Sequence, residues 1–238
     1  MHTVKFIRAE IVAEKTMRFF FEKPEGFNYV SGQYAEFAFI NPSETDNEGM
    51  SRCLSFTSVP SDKELSITTR IRDTAFKRML VLMKKGKTIN MDGPFGSLTL
   101  HKNEKKPAVF VTGGIGITPF VSIVREATEK KLSHALTLFY SNRRLQDAPF
   151  LNEFRVLATT NLNFTFIPTM TKMEDSKEAW NGERGHINGA MVRKYCNNLA
   201  LPVWYIAGPS KMVLAMRNML VAIGADEDNI RTEEFSRY

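Results

Sequence analysis

Apolar and polar positions change their period once along this chain, close to residue 100. Before that point the apolar residues come in short runs. Val4-Lys5-Phe6-Ile7 and Thr16 to Glu22 read as β-rich segments, with Pro24, Gly26 and Gly32 breaking the chain after them. Tyr34 to Phe39 carries apolar residues densely enough for a barrel strand, and the polar, acidic stretch from Pro42 to Gly49 reads as a surface loop. Further strands are predicted at Leu54–Ser58, Leu65–Arg72 and Thr88–Met91, with one helical pattern at Phe76–Met83. Many short strands at close spacing predict an antiparallel barrel or sandwich.

After a charged connector, His101 to Pro107, strands alternate with helices. Strands are predicted at 108–112, 135–141, 163–167, Val203–Ala207 and Ile230–Phe235, and helices at 119–130, 149–158, 188–197 and 210–223. That alternation predicts a doubly wound, mostly parallel sheet that takes ligands at the C-terminal ends of its strands. Thr171 to His186 has no periodicity and is read as a flexible rim. The expected architecture is an antiparallel β-barrel domain over residues 1–102, followed by an α/β doubly wound domain over 103–238.

The stretch Val109–Val124 joins the two periods most sharply. An apolar, β-branched run is followed by Gly113, Gly114 and Gly116, then by Thr118 as a helix cap and Pro119 in the first turn. Free amides and a positive dipole end suit an anion such as a phosphate, although an ordinary strand-to-helix turn has the same outline. Pro119 stands where a dinucleotide fingerprint would have its third glycine.

Composition narrows the classes. The chain has 238 residues with 43% hydrophobic and 24% charged content, ordinary for a globular protein of one or two domains. No apolar run approaches the ~20 residues of a membrane span, and the N-terminus lacks a secretory signal. Two cysteines, Cys53 and Cys196, supply neither a disulfide framework nor a four-thiolate metal site. The chain therefore reads as cytoplasmic and reduced. Its +6 charge is dispersed, and the short runs Lys84–Lys87 and Lys102–Lys106 carry no interleaved aromatics. That is a poor nucleic-acid surface: a solvated face is the first reading, and an acidic protein partner or an anionic cofactor the second. His2, His101, His134 and His186 show no ligand spacing and are assigned surface or structural roles.

Three further segments carry candidate chemistry. Arg52-Cys53-Leu54-Ser55-Phe56-Thr57-Ser58 sets a guanidinium and two hydroxyls along one strand, with Arg52 and Leu54 on one face and Cys53 and Ser55 on the other. Asp73-Thr74-Ala75-Phe76-Lys77 opens the helical pattern, and Gly93-Pro94-Phe95-Gly96 reads as a sharp turn. Each has an ordinary counterpart: a surface salt bridge, a helix cap, a hairpin turn.

In order along the chain, these segments resemble the ferredoxin–NADP reductase-type flavoproteins over nearly the whole length. Arg52, Ser55 and Ser58 match the family's Arg-x-Tyr-Ser-x-x-Ser motif, and Gly93–Gly96 its Gly-Pro-x-Gly turn. Gly113 to Pro119 match Gly-Gly-x-Gly-x-Thr-Pro, Gly208, Pro209 and Met212 match Cys-Gly-Pro-x-x-Met, and Glu233 and Phe235 match a C-terminal Glu-x-Phe. The resemblance implies that Arg52 holds a flavin pyrophosphate and that Ser55 hydrogen-bonds the flavin edge near N5. Cys53, Leu54, Ile71, Arg72, Thr74 and Phe76 would line the flavin, and the glycine loop would hold the pyrophosphate of NAD(P)H. Phe235 would cover the flavin face that the nicotinamide approaches, with Glu233 close by. FAD is favoured over FMN because the helix start at Thr74–Lys77 offers a second phosphate its place.

The chain departs from the family pattern at Leu54 for the motif tyrosine, Ala207 for the cysteine and Arg237 for a glycine near the end. Ser141, Arg143 and Arg144 are candidate readers of a 2′-phosphate, which tilts the expectation to NADP with NAD left open. The implied reaction moves a hydride from nicotinamide C4 to flavin N5, with the protein bringing the two atoms to roughly 3–3.5 Å and excluding water. Electrons then leave to a separate acceptor, a ferredoxin- or flavodoxin-like protein or a small oxidant. A second expectation is a non-catalytic or accessory flavoprotein subunit of a larger complex, and a third is a nucleic-acid-binding protein.

Overall fold

The computed structural model describes residues 1–176 and 178–235. It divides into two compact units. The first holds Met1–Thr99 with Thr118–Glu126, and the second Leu100–Ile117 with the described residues of 127–235.

The first unit is an antiparallel sheet of β1 (His2–Ala13), β2 (Thr16–Glu22), β3 (Tyr34–Ala38), β4 (Ser51–Ser55), β5 (Glu64–Arg70) and β6 (Thr88–Phe95), in the order β4-β3-β6-β1-β2-β5. Just past β4, Phe56 bridges Ile67 and Thr57 N–H donates to Ser66 O at 2.8 Å, which closes the sheet into a barrel. Inward residues alternate as period-2 patterning requires: Phe19 and Phe21, Ala35 and Phe37, Ile89 and Met91 are all fully buried. One short helix, α1 (Ala75–Val81), plugs the core with Phe76 and Leu80.

Two strand expectations change. β1 runs well past Ile7, because its hairpin with β2 is long enough to pair Ala13 with Thr16 although Ile11 is 79% exposed. Gly93-Pro94-Phe95 is not a turn: it ends β6, with Phe95 paired to Tyr34 across a bulge.

The helix α2 (Thr118–Glu129) begins against the barrel. Ser122 Oγ accepts from Gly32 N–H and donates to Pro119 O, both at 3.0 Å, and Arg125 pairs with Asp62 at 3.1 Å.

The second unit is a wholly parallel sheet: β7 (Ala108–Gly113), β8 (Leu136–Asn142), β9 (Phe164–Met170), β10 (Glu183–Arg184), β11 (Val203–Pro209) and β12 (Ile230–Phe235). Its order is β10-β9-β8-β7-β11-β12, with helices α3 (Leu151–Thr160), α4 (Gly189–Tyr195) and α5 (Ser210–Ala222) in the connections. Val109, Phe110 and Val111, and Trp204, Tyr205 and Ile206, are all almost fully buried, as strands covered on both faces should be.

Part of the stretch read as a rim is held in place. Trp180 is buried, its Nε1–H donates to Glu183 O at 2.7 Å, and Glu183–Arg184 pairs with Thr169–Met170. His101 and His134 are also internal rather than at the surface. His101 Nδ1 lies 2.9 Å from Tyr205 Oη, and His134 Nε2 lies 2.8 Å from His101 O. Burial lowers the pKa of His101, in keeping with a structural role.

Candidate functional site

In the first unit, β4 presents Arg52 opposite Phe37 and Leu54 opposite Ala35, so both share the inward face; Cys53, opposite Glu36, is exposed. Arg52 is only 6% exposed, with its guanidinium carbon 5.3 Å from the centre of the Phe76 ring. Its Nη1 donates to the carbonyls of Glu48 (3.0 Å), Gly49 (3.0 Å) and Ser51 (2.7 Å), and Nη2 donates to Glu48 Oε2 at 3.1 Å. Among the described residues its buried Nε–H has no partner. An unsatisfied donor on a buried cation costs free energy that an incoming anion would recover.

Ser55 is buried at the end of β4. Ser58 is a structural residue: its Oγ lies 2.8 Å from Tyr29 Oη and accepts from Ser66 N–H at 3.0 Å. Thr74 caps α1, accepting from Lys77 N–H at 3.4 Å. Phe76 is fully buried, with its ring against the Arg52 guanidinium.

Nothing in the sequence pattern singles out Lys77 beyond its place in a helix start. It is 2% exposed and donates to Thr69 Oγ1, and desolvation together with the Arg52 and Arg72 guanidiniums lowers its pKa to about 7. Ile71 and Arg72 line an open cavity of about 800 Å³ with Ile11, Met17, Asp73 and Arg78. Arg52, Arg72 and Lys77 thus form a cationic cluster with Glu48 as an acidic neighbour.

In the second unit the strand order reverses between β7 and β11, and such a switch point opens a crevice at the strands' C-terminal ends. Two glycine motifs line it. A Cβ on Gly116 would fall 2.5 Å from Ala207 O, 2.7 Å from Thr112 Oγ1 and 2.9 Å from Gly208 Cα, so only glycine fits there. Gly208 itself has φ +149°, and a Cβ on it would meet Met212 Cε at 2.5 Å. Thr112 Oγ1 donates to Ala207 O at 2.8 Å, which locks the two strand ends together. Those two glycines let the strand ends pack backbone to backbone, whereas Gly114, at φ +54°, has open space where a Cβ would stand, and there a pyrophosphate can approach the backbone closely.

Helical structure starts earlier than expected. A 3-10 turn, Gly114–Ile117, runs directly into α2, so Thr118 and Pro119 are both buried inside a continuous helical stretch and Thr118 is not its cap.

Around the crevice, Ser141 pairs with Gly113 at the end of β8. Arg143 is exposed, whereas Arg144 forks onto Asp147 at 2.8 and 2.9 Å and is committed to that pair. Asn142 is 6% exposed, and neither its Oδ1 nor its Nδ2 has a partner among the described residues. A buried amide left idle at the ligand end of a strand is a site feature the sequence pattern hid. Pro209 and Phe235 pair at the ends of β11 and β12, and Glu233 pairs with Ala207. Burial pushes the Glu233 carboxyl up to about 7. Arg237 lies outside the described residues.

Residues 110–218 match the family model described as the oxidoreductase NAD-binding domain. The chain is 30% identical over 157 residues to a component of the Na(+)-translocating NADH-quinone reductase of Methylococcus capsulatus, covering 64% of this chain and 38% of that protein. It is 26% identical over 217 residues to the reductase component of propane 2-monooxygenase from Rhodococcus jostii, covering 90% of this chain and 57% of that one. The chain thus spans from about two fifths to under three fifths of these relatives. Its fold matches a ferredoxin NADP+ reductase from Neisseria gonorrhoeae, solved with bound FAD and NADP, at a TM-score of 0.81, 19% identity and 98% coverage of each chain.

Proposed function

We propose that the chain is a ferredoxin–NADP reductase-type oxidoreductase that binds FAD in its barrel unit and NAD(P)H in its α/β unit and passes electrons to a separate acceptor. The observation that carries this reading is the glycine turn at the switch point, where Gly114 has open space in place of a Cβ while Gly116 lets the turn pack against Ala207 and Gly208. Flavin, when bound, supplies the chemistry of accepting a hydride from a nicotinamide and releasing electrons onward.

The chain's own residues bind, orient and exclude water. Arg52 directs its idle Nε–H, with Arg72 and Lys77 nearby, toward a phosphate. Ser55 offers a hydroxyl to the flavin edge, and Leu54 contributes apolar packing in place of a phenol. The cavity beside Ile71 and Arg72 has room for the adenylate half of FAD. Gly113, Gly114 and Gly116 admit the coenzyme pyrophosphate, Gly208, Pro209 and Met212 border the nicotinamide side, and Arg143 reads a 2′-phosphate where NADPH is used. Phe235 shields the reacting face. Glu233, with its raised pKa, holds a proton at its carboxyl near neutral pH.

Among the described residues no helix is long and apolar enough to cross a membrane. The acceptor is a ferredoxin- or flavodoxin-like protein, an oxygenase component or a small oxidant. A second reading, a non-catalytic or accessory flavoprotein electron-transfer subunit of a larger complex, is favoured by the two relatives, each of which is named as one part of a multi-component enzyme. The test is an anaerobic titration of the FAD-loaded protein with NADPH and with NADH. Bleaching of the flavin's visible absorbance supports the reductase reading, and a bound flavin that neither coenzyme bleaches favours the accessory reading.

A further inference from the structure

The acidic loop between β3 and β4 alternates exposed and half-buried residues, and its half-buried carboxylates tie it down. Glu44 Oε2 accepts from Arg78 Nη2 at 2.6 Å, and Asp46 Oδ2 accepts from Ala75 N–H at 2.5 Å. Glu48 Oε2 accepts from Arg52 at 3.1 Å, and its Oε1 lies 3.6 Å from Arg72. Glu48 is thereby the anion seated on the two guanidiniums that the proposed function assigns to the flavin phosphates.

Geometry and charge make that seat provisional. Arg52 uses only Nη2 for the carboxylate and leaves Nε–H idle among the described residues, and the contact to Arg72 is long for a hydrogen bond. Two carboxylates, Glu48 and Asp46, lie among three basic side chains, Arg52, Arg72 and Lys77. A phosphate brings more charge and more acceptor oxygens than a carboxylate to the same donors.

We propose that Glu48 sets the affinity of the flavin site: its carboxylate is a resident competitor on Arg52 and Arg72 that a flavin phosphate must displace. Residues 42–50 then detach from Arg52 as the cofactor enters. The inference rests on the flavin reading of the barrel unit, so its test separates the two.

FAD is titrated into flavin-free wild type, Glu48→Gln and Arg52→Ala, and binding is followed by flavin fluorescence. Glu48→Gln keeps the backbone carbonyls that Arg52 Nη1 uses and removes only the competing charge. We expect it to bind FAD roughly tenfold tighter than wild type, and Arg52→Ala to bind roughly a hundredfold weaker. Unchanged or weaker binding by Glu48→Gln, with wild type binding normally, would make Glu48 a mere support for Arg52 and overturn the inference alone. No FAD binding by wild type overturns the flavin reading and the inference together. Amide hydrogen exchange in wild type gives a second readout that needs no variant. Faster exchange at Glu48 and Gly49 on adding FAD supports displacement, and slower or unchanged exchange overturns it.

Discussion

Gly116 and Gly208, 92 positions apart in sequence, approach so closely that a Cβ on the first would lie 2.9 Å from the Cα of the second. No side chain is tolerated between the strand ends they follow, and that contact shapes the crevice of the α/β unit. Gly116→Ala should force the loop away from Ala207 O and Thr112 Oγ1. We expect the KM for NAD(P)H to rise at least tenfold while the FAD dissociation constant stays put, with a melting temperature lower by a few degrees. Steady-state kinetics with a ferric acceptor, beside a flavin titration, measures both.

Lys77 is a buried cation whose pKa is lowered to about 7, first by desolvation and then by Arg52 and Arg72. The unfolded chain therefore binds more protons at this group between pH 7 and about 10.5, so its share of stability rises over that window and is lost below pH 7. Lys77→Met should stabilise the flavin-free protein by about 2–4 kcal/mol at pH 6 and hardly at all at pH 10. Urea unfolding at the two pH values tests the sign. A phosphate arriving beside Lys77 would favour its charged form, so FAD binding at pH 8 should take up protons, measurable by calorimetry in buffers of different ionisation enthalpy.

Glu233 carries the opposite sign. Its carboxyl is pushed up to about 7 by burial, so the folded chain holds the extra proton between about pH 4.5 and 7 and stability from this group falls as pH rises through that window. Glu233→Gln should remove that slope, leaving the variant about 1–2 kcal/mol more stable at pH 8 and little changed at pH 4. Thermal melts across this range read the difference.

Coenzyme choice should rest on Arg143 rather than on its neighbour. Arg144 is held by Asp147, whereas Arg143 is exposed at the crevice rim. Arg143→Ala should lower kcat/KM for NADPH by roughly tenfold and leave NADH unaffected, as expected for losing one charge-assisted contact. Arg144→Ala should lower stability without changing the ratio of the two coenzymes.

Much of the architecture can be read from the chain because its signals are local. Alternating short apolar runs specify the barrel, strand–helix alternation specifies the parallel sheet, and the glycines of Gly113–Gly116 need no distant partner to stand out. The site's charge arrangement is different. Glu44, Asp46 and Glu48 read as a solvated loop, because only the folded chain brings Arg78, Ala75 N–H and Arg52 beneath them. Their period-2 spacing is the one local signal that a single face is held. Lys77 and Asn142 carry no such signal, because lysine and asparagine are ordinarily exposed and nothing nearby in sequence announces that packing will bury them. The burial of Phe76 is equally a product of the fold, since its helix turns it into the core. Trp180 orders a stretch without periodicity by donating to a carbonyl three residues on.

A flavin seat and a nicotinamide-nucleotide crevice on one chain have a kinetic consequence if they work together. Anaerobic stopped-flow reduction of the FAD-loaded protein, with nicotinamide coenzyme protiated or deuterated at C4, exposes it. Flavin bleaching should saturate with coenzyme, run slower with the deuterated form, and lose saturation in Gly116→Ala. A bound flavin that stays oxidised with both coenzymes, or a rate indifferent to deuterium and to Gly116→Ala alike, would contradict a working pair of sites.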